Sequence, residues 1–443
     1  MHAWIKALVV LLLASSTLMV DAPAEVRAGL FVFVLIGGLW LTEAFHLTLT
    51  ALLVPVLAIA FGLMDVRTAL GYFAHPVIAI FFGGFALASA LQAQGLDAWI
   101  ARSLLRLARG SLRGGVLLLF CATALLSMWI SNTATAAMML PLALGLLREH
   151  PPQEQPDLYV FVLLGVAWSA SMGGVATLVG SPPNAIAAAE LQWGFAEWMA
   201  VGLPLFLLLY PLAILTLWRV IKPVFPDSAP LHHDASFHWH AHRIITLLIF
   251  MLTVLLWVFG EPLMQGMGIA EDKDSVVALL AAVLLGMTGC TQWKQIARDT
   301  NWGVLLLFGG GIALSALMKV SGASAFLGQL IGAGLPVDQP LLFVAMVTLF
   351  VVFLTELVSN TASAALLIPL LLPIGAGMGV DPAALVVLIA VSASCAFMLP
   401  VATPPNALVY GTGLVPAAVM RRTGLVMNLL AVVVLTLWFG LSP

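Results

Sequence analysis

Charge is what this chain has least of: Asp, Glu, Lys and Arg make up 8% of its 443 residues, where a soluble domain carries about 25%. Hydrophobic residues make up 62% and mean hydropathy is +1.11, so a water-facing globular domain is excluded. The 17 basic residues lie between apolar runs and form no stripe, which removes nucleic acid as a partner. Cys121, Cys290 and Cys395 all fall in apolar segments, with neither disulfide-framework nor metal-ligand spacing. No nucleophile–base pair and no set of metal ligands occurs inside the apolar runs, so the chain does not read as an enzyme.

What is present is a series of apolar runs near residues 4–20, 28–45, 48–65, 73–95, 157–192, 200–218, 244–259, 275–290, 303–320, 383–413 and 420–440. Each approaches or exceeds the roughly 20 residues that cross a hydrocarbon core. They predict an all-α polytopic membrane protein with about 11 transmembrane helices. Lys6, the run 7–14 and Asp21-Ala22-Pro23-Ala24 look superficially like a cleaved signal. A first membrane helix within residues 1–27 fits as well and supplies the cytoplasmic start that the later loops require.

Two longer stretches, 114–147 and 339–374, read differently. Each is too long for one span and is interrupted near its middle by the same triplet, Ser131-Asn132-Thr133 and Ser359-Asn360-Thr361. Two short helices meeting at a polar tip explain both the length and the interruption, which predicts two re-entrant hairpins. With a cytoplasmic N-terminus, only Arg27, Arg67, Lys273 and Lys319 of the 17 basic residues fall outside, as the positive-inside rule requires. Five full spans then separate the hairpins, so the two halves have inverted topology. Self-similarity supports the pairing: SNTATAAMMLPL recurs as SNTASAALLIPL, Phe82-Gly83-Gly84 as Phe308-Gly309-Gly310, and Ser169-Ala170-Ser171 as Ser392-Ala393-Ser394. The expected organisation is a first repeat at 28–222, a cytoplasmic linker at 223–242 and a second repeat at 243–443. Broken helices are expected at 157–192 and 383–413, each carrying a double proline, Pro182-Pro183-Asn184 and Pro404-Pro405-Asn406.

The tips carry the chemistry. Ser127 and Ser131 share one helical face. Asn132 adds an amide oxygen and Thr133 a hydroxyl; Thr355, Ser359, Asn360 and Thr361 repeat the set. Neutral oxygens suit a hard cation such as Na⁺. The helix that starts after each tip offers free N–H groups to an anion. The prolines are expected to free the carbonyls of Leu178, Val179, Pro400 and Val401 for a cation, with Asn184 and Asn406 capping the helices that resume. A single such triplet would more often be packing. Two in register with two Pro-Pro-Asn breaks point to one central transport site. An ion channel would not need two occluding breaks. No Lys or Arg lies near either triplet, so an anion's charge must be balanced by cations, dipoles and amides. Glu356, three residues before Ser359, is expected to orient the second tip rather than relay protons, while Glu43 lies near an interface.

These residues resemble the divalent anion:Na⁺ symporter family over nearly the whole chain. Trp40-Leu41-Thr42-Glu43-Ala44 is similar to the family's early motif, and the run SCAFMLPVATPPNALV at 394–409 to its C-terminal one. The resemblance implies a homodimer in which a transport body moves against a fixed scaffold as an elevator. It implies one Na⁺ site at Ser127, Ser131, Asn132 and Gly180, and another at Thr355, Ser359, Asn360 and Ala402. Substrate contacts are implied at Asn132, Thr133, Ser181, Asn360, Thr361 and Thr403. The expected activity is Na⁺-coupled symport of a C4-dicarboxylate such as succinate across the inner membrane. The alternatives are citrate or another tricarboxylate, sulfate, or dicarboxylate exchange. His46 stands where the family often has Pro, and Ser181 where it usually has Thr. Retained hydroxyls at both cation sites favour coupling over exchange.

Weaker signals remain. His232, His233, His238, His240 and His242 cluster in the linker and read as an unstructured loop rather than a metal site. Residues 99–113, with Arg102, Arg106, Arg109 and Arg113, read as an amphipathic helix on the inner face.

Overall fold

A computed structural model of the chain describes residues 2–108, 111–226, 238–268, 272–332 and 339–440. Arg109, His232 and His233 lie outside the described residues. Every regular element among the described residues is helical, as lipid demands of a chain that must satisfy its own backbone. After α1 (His2–Ser16) comes a first set: α2 (Ala24–Thr42), α3 (Leu47–Ala60), α4 (Val66–Gly71), α5 (Pro76–Ala93), α6 (Leu96–Arg106), α7 (Leu112–Ser127), α8 (Asn132–Leu146), α9 (Pro156–Gly173), α10 (Pro182–Leu191) and α11 (Phe195–Ile221). The order then returns: α12 (Ala241–Phe259), a short α13 (Glu261–Gly266), α14 (Lys273–Met287), α15 (Trp293–Asp299), α16 (Trp302–Val320), α17 (Ala323–Gly332), α18 (Pro340–Leu354), α19 (Asn360–Gly377), α20 (Pro382–Ser394), α21 (Pro404–Tyr410) and α22 (Ala417–Gly440).

The packing is repeated as well as the order. Helix α5 lies on α14 as α16 lies on α3, α9 packs on α7 as α20 packs on α18, and α10 meets α20 as α21 meets α9. The repeated Phe-Gly-Gly motif explains the first of these pairs. A Cβ at Gly83 would stand 2.6 Å from the carbonyl of Ala278 on α14, and one at Gly310 would stand 2.7 Å from that of Ala51 on α3. Backbones this close admit only glycine, the small-residue packing that replaces the hydrophobic effect between helices in lipid. The rings of Phe81 and Phe308 then meet edge to face at 4.8 Å, where the two motifs approach.

Two bodies result. Helices α7–α11 interlock with α18–α22, and α1–α5 pack with α12–α16. Helix α6 connects the bodies after α5 and α17 after α16. Burial follows this division: 89% of the α9 span window is buried inside the protein against 22% of the α12 window. Helix α9 is therefore central, and α12 turns its apolar side chains outward.

The two helical pairs stand where hairpins are expected. Helices α7, α8 and α18 have 16, 15 and 15 residues, roughly 22–24 Å at ~1.5 Å per residue, short of a core of about 30 Å. Their bases lie at opposite ends of α11. Arg113, at the start of α7, sits 4.7 Å from the ring of Trp218 near the end of α11. Pro340 and Asp381, at the base of the second pair, line a cavity with Trp193 and Val201 at its beginning. The expected amphipathic helix at 99–113 is shorter than read: α6 ends at Arg106, and Arg113 belongs to α7, where it covers an aromatic ring. His46 and His75 prove to be caps, each accepting from the N–H two residues on.

The close crossing of α7 and α9 gives a stability test. A Cβ at Gly173 would lie 2.3 Å from the backbone oxygen of Ala124, while one at Gly145 would meet nothing within 4 Å. Gly173→Val should therefore lower the thermal midpoint of the purified protein by an overpacking cost of about 1–3 kcal/mol. Gly145→Ala should leave it unchanged, and equal midpoints for the two variants would refute the crossing.

Candidate functional site

Both chain breaks are built the same way. At the first tip the Ser127 hydroxyl, fully buried, lies 2.7 Å from the side-chain oxygen of Asn132 and 2.6 Å from the carbonyl of Ala170 at the end of α9. At the second, the buried Thr355 hydroxyl lies 2.7 Å from Asn360 Oδ1 and 2.7 Å from the carbonyl of Ala393 on α20. A hydroxyl has a single proton, so each of these hydroxyls can donate to one neighbour at a time. The Asn132 amide faces Ser127 Oγ, Ala170 O and Gly180 O at 2.7, 3.0 and 3.2 Å, and with its nitrogen on that side it donates to them. Oxygens converging in this way are held either by an amide N–H or by a cation among them.

The breaks are held open by asparagine staples. Asn184 Nδ2 donates to the carbonyls of Gly174 and Thr177 at 2.9 and 2.8 Å, and Asn406 Nδ2 to those of Ala396 and Leu399 at 3.2 and 3.1 Å. In both halves the bonded carbonyls lie ten and seven residues upstream. This corrects the expectation that Asn184 and Asn406 cap the resuming helices; in the second half the cap is Thr403, whose hydroxyl accepts from the Asn406 N–H. The prolines are also reassigned. They occupy the first positions of α10 and α21, where a missing N–H is not needed. The chain leaves its helix well before them, at Gly174 and Cys395.

Glu356 holds the second break from behind. Its buried carboxylate accepts from the backbone N–H groups of Phe397, Met398 and Leu399 at 2.7–2.9 Å and from Asn428 Nδ2 at 2.8 Å. Four donors saturate the carboxylate, an orienting role. The first half uses a neutral substitute: the Thr177 hydroxyl donates to the carbonyl of Met128, the position equivalent to Glu356.

Between the tips lies one cavity of about 690 Å³. All six residues expected to touch substrate line it: Asn132, Thr133, Ser181, Asn360, Thr361 and Thr403. Of the expected cation ligands, Ser131, Gly180, Ser359 and Ala402 line it too, while Ser127 and Thr355 stand behind Asn132 and Asn360. Ser131 is drawn partly away, its hydroxyl accepting from the Ala134 N–H at 3.3 Å as the cap of α8. The first residues of α8 and α19 present N–H groups without intrahelical partners toward the cavity. No Lys or Arg lines the wall, but Glu43 and Asp299 do. The sequence reading found Glu43 and Glu356 as the acids at membrane depth. It missed Asp299, which accepts from Ser89 Oγ at 2.7 Å, and Glu190, which accepts from Ser315 Oγ at 2.7 Å. Ser89 and Ser315 are equivalent positions of the repeated motif, so a serine kept in both copies was the available signal. The Ala170 and Ala393 carbonyls had none, because any residue supplies one. Among the described residues no group of three His, Cys, Asp or Glu could hold a metal ion, and His238, His240 and His242 form no such group.

Comparison with known proteins gives a consistent picture. A family profile described as citrate transporter, CitMHS, matches residues 38–384. The chain is 48% identical to a protein of Haemophilus influenzae described as an uncharacterized transporter, over 93% of this chain and 91% of that one. It is 31% identical to the sodium-dependent dicarboxylate transporter SdcS of Staphylococcus saprophyticus, over 92% of this chain and 85% of the relative. The crystal structure of the Alcanivorax borkumensis YdaH transporter, described as having an unusual topology, superposes with a TM-score of 0.61 at 18% identity, covering 90% of this chain and 99% of that chain. That likeness is one of fold.

Glu356 gives the test of this construction. Glu356→Ala removes the acceptor of three backbone N–H groups, at about 1–3 kcal/mol for each left unpaired. It should lower the thermal midpoint far more than Glu43→Ala on the cavity wall. Equal midpoints would show that the carboxylate does not hold the break.

Proposed function

The chain belongs to the divalent anion:Na⁺ symporter family, and from that premise we propose that it is a secondary carrier coupling Na⁺ to the uptake of a divalent anion, a C4-dicarboxylate such as succinate. One observation carries this reading. Two tips and two breaks line a single cavity without a basic side chain, and behind each tip a buried hydroxyl, an asparagine side chain and a helix-end carbonyl converge. An anion in that cavity takes its hydrogen bonds from Asn132, Thr133, Ser181, Asn360, Thr361 and Thr403 and from the starts of α8 and α19. Its charge is balanced by Na⁺ held at Ser127, Asn132, Gly180 and the Ala170 carbonyl, with Ser131 beside them. The second Na⁺ is held at Thr355, Asn360 and the Ala393 carbonyl, beside Ser359 and Ala402. Each asparagine serves both partners, so neither site is complete without the other, which is the chemical basis of coupling.

The body of α7–α11 and α18–α22 carries the whole polar lining except the acids and Asn301. We read it as the moving part of an elevator, with α1–α5 and α12–α16 as the scaffold of a homodimer in the inner membrane. Its N-terminus is cytoplasmic on this reading. Lys6, Arg102, Arg113, Arg243, Lys294 and Arg298 then mark the cytoplasmic end, and Glu43, Asp299 and Asn301 open the cavity toward it. A tricarboxylate is the second reading, favoured by the citrate-transporter profile that covers residues 38–384.

Purified protein in liposomes should take up labelled succinate in a saturable, Na⁺-dependent way, and uptake unchanged when choline replaces Na⁺ would exclude coupling. Competition by succinate, citrate and sulfate against one labelled anion ranks the substrates. Asn132→Ala and Asn360→Ala should each reduce uptake about tenfold or more at normal expression, the loss of two or more hydrogen bonds at about 1 kcal/mol each. Normal uptake by both variants would remove the site assignment. Thr355→Ala should raise the Na⁺ concentration for half-maximal uptake more than it raises that of succinate.

A further inference from the structure

Among the described residues, two polar ties between the bodies lie at one end. Glu190 closes α10 on the moving body; its carboxylate accepts from Ser315 Oγ at 2.7 Å and pairs with the ammonium of Lys319, both on α16 of the scaffold. The Glu190 side chain is 9% exposed and that of Lys319 is 54% exposed. At the same end, Asp274 of scaffold helix α14 accepts from the Phe195 N–H at 2.6 Å, the first residue of α11 on the moving body. The Phe195 ring stacks on scaffold Trp257 at 4.7 Å. The cavity opens at the other end. There the scaffold polar groups are bonded within the scaffold: Asp299 to Ser89, and Asn301 to the N–H of Val304 on its own helix.

We infer that Glu190 is a positioning residue that latches the outer side of the carrier. It holds the moving body in the inward-open arrangement through Ser315 and Lys319, and it must release them each time the site turns outward. The inference rests on the two-body reading above. Glu190 touches neither substrate nor the oxygen clusters, so it acts on the balance of states and leaves intrinsic affinity alone. A charge-assisted bond on a nearly buried carboxylate is strong. Lys319, half in solvent, can take up water when the pair separates, which keeps the latch reversible. Where the outward state is a minor one, apparent affinity for external substrate is reduced by its population, so weakening the latch raises that affinity.

The test follows the outward state directly. Val401 lines the cavity and is 80% exposed. In a chain with Cys121, Cys290 and Cys395 replaced by alanine, Val401→Cys reports external access through labelling by a membrane-impermeant maleimide. Glu190→Gln should raise the external labelling rate severalfold and lower the apparent KM for external succinate by a similar factor. Lys319→Gln should act in the same direction, and the exchanged pair Glu190→Lys with Lys319→Glu should return labelling toward the starting value. A merely structural role would lower the thermal midpoint without raising access. Labelling unchanged in Glu190→Gln and in Lys319→Gln would overturn the latch. If Glu190→Gln does not fold, the half-exposed Lys319→Gln decides alone. Labelling that responds to Na⁺ and succinate but not to these variants removes the latch and keeps the carrier. Labelling that never responds to any of them removes the two-body reading itself.

Discussion

Backbone groups freed in the middle of a bilayer must find partners within the protein, and this one constraint organises the chain. Two helices are broken at membrane depth, and each break is repaired by side chains from another element. Ser127 and Thr355 reach across from the tips to carbonyls at the ends of α9 and α20. Asn184 and Asn406 tie upstream carbonyls together. Glu356 gathers three N–H groups and so fixes the arc of the second break. Each tip thereby sets neutral hydroxyl, amide and carbonyl groups side by side at membrane depth.

The same constraint explains why the site stands between two halves. One break offers a cluster on one side of a cavity; its inverted copy offers another on the opposite side, and the starts of α8 and α19 aim N–H groups into the space between them. Each copy of the Phe-Gly-Gly motif keeps one crossing close, Gly83 at α5–α14 and Gly310 at α16–α3, through different positions of the motif. The halves have since diverged where function differs. Glu356 has no carboxylate counterpart in the first half, where Met128 stands at its position and the Thr177 hydroxyl donates to the Met128 carbonyl.

Much of the architecture was legible in residues alone. The lengths and interruptions at 114–147 and 339–374 correspond to the pairs α7–α8 and α18–α19, and the repeat offsets correspond to the repeated packing. All six expected anion contacts prove to be neighbours of one cavity. The prolines misled because a Pro-Pro pair reads equally as a kink inside a helix or as the first turn of a new one. The role of the asparagines followed from that error: a residue in the first turn can cap its own helix or reach back across the break, and sequence distance does not separate the two. The acids Glu190 and Asp299 escaped notice because each lies at a helix end, where a charge is ordinarily solvated.

By itself the sequence determined that the chain lives in a bilayer and that a polar pattern occurs twice along it. Those facts follow from hydropathy and self-similarity, both of which are properties of residue order. Only the tertiary structure decided which carbonyls join the hydroxyls, that both tips share one cavity, and that a carboxylate at the end of α10 meets a lysine on the facing body. Backbone carbonyls carry no residue identity, and partners more than a hundred residues apart become neighbours only when helices pack.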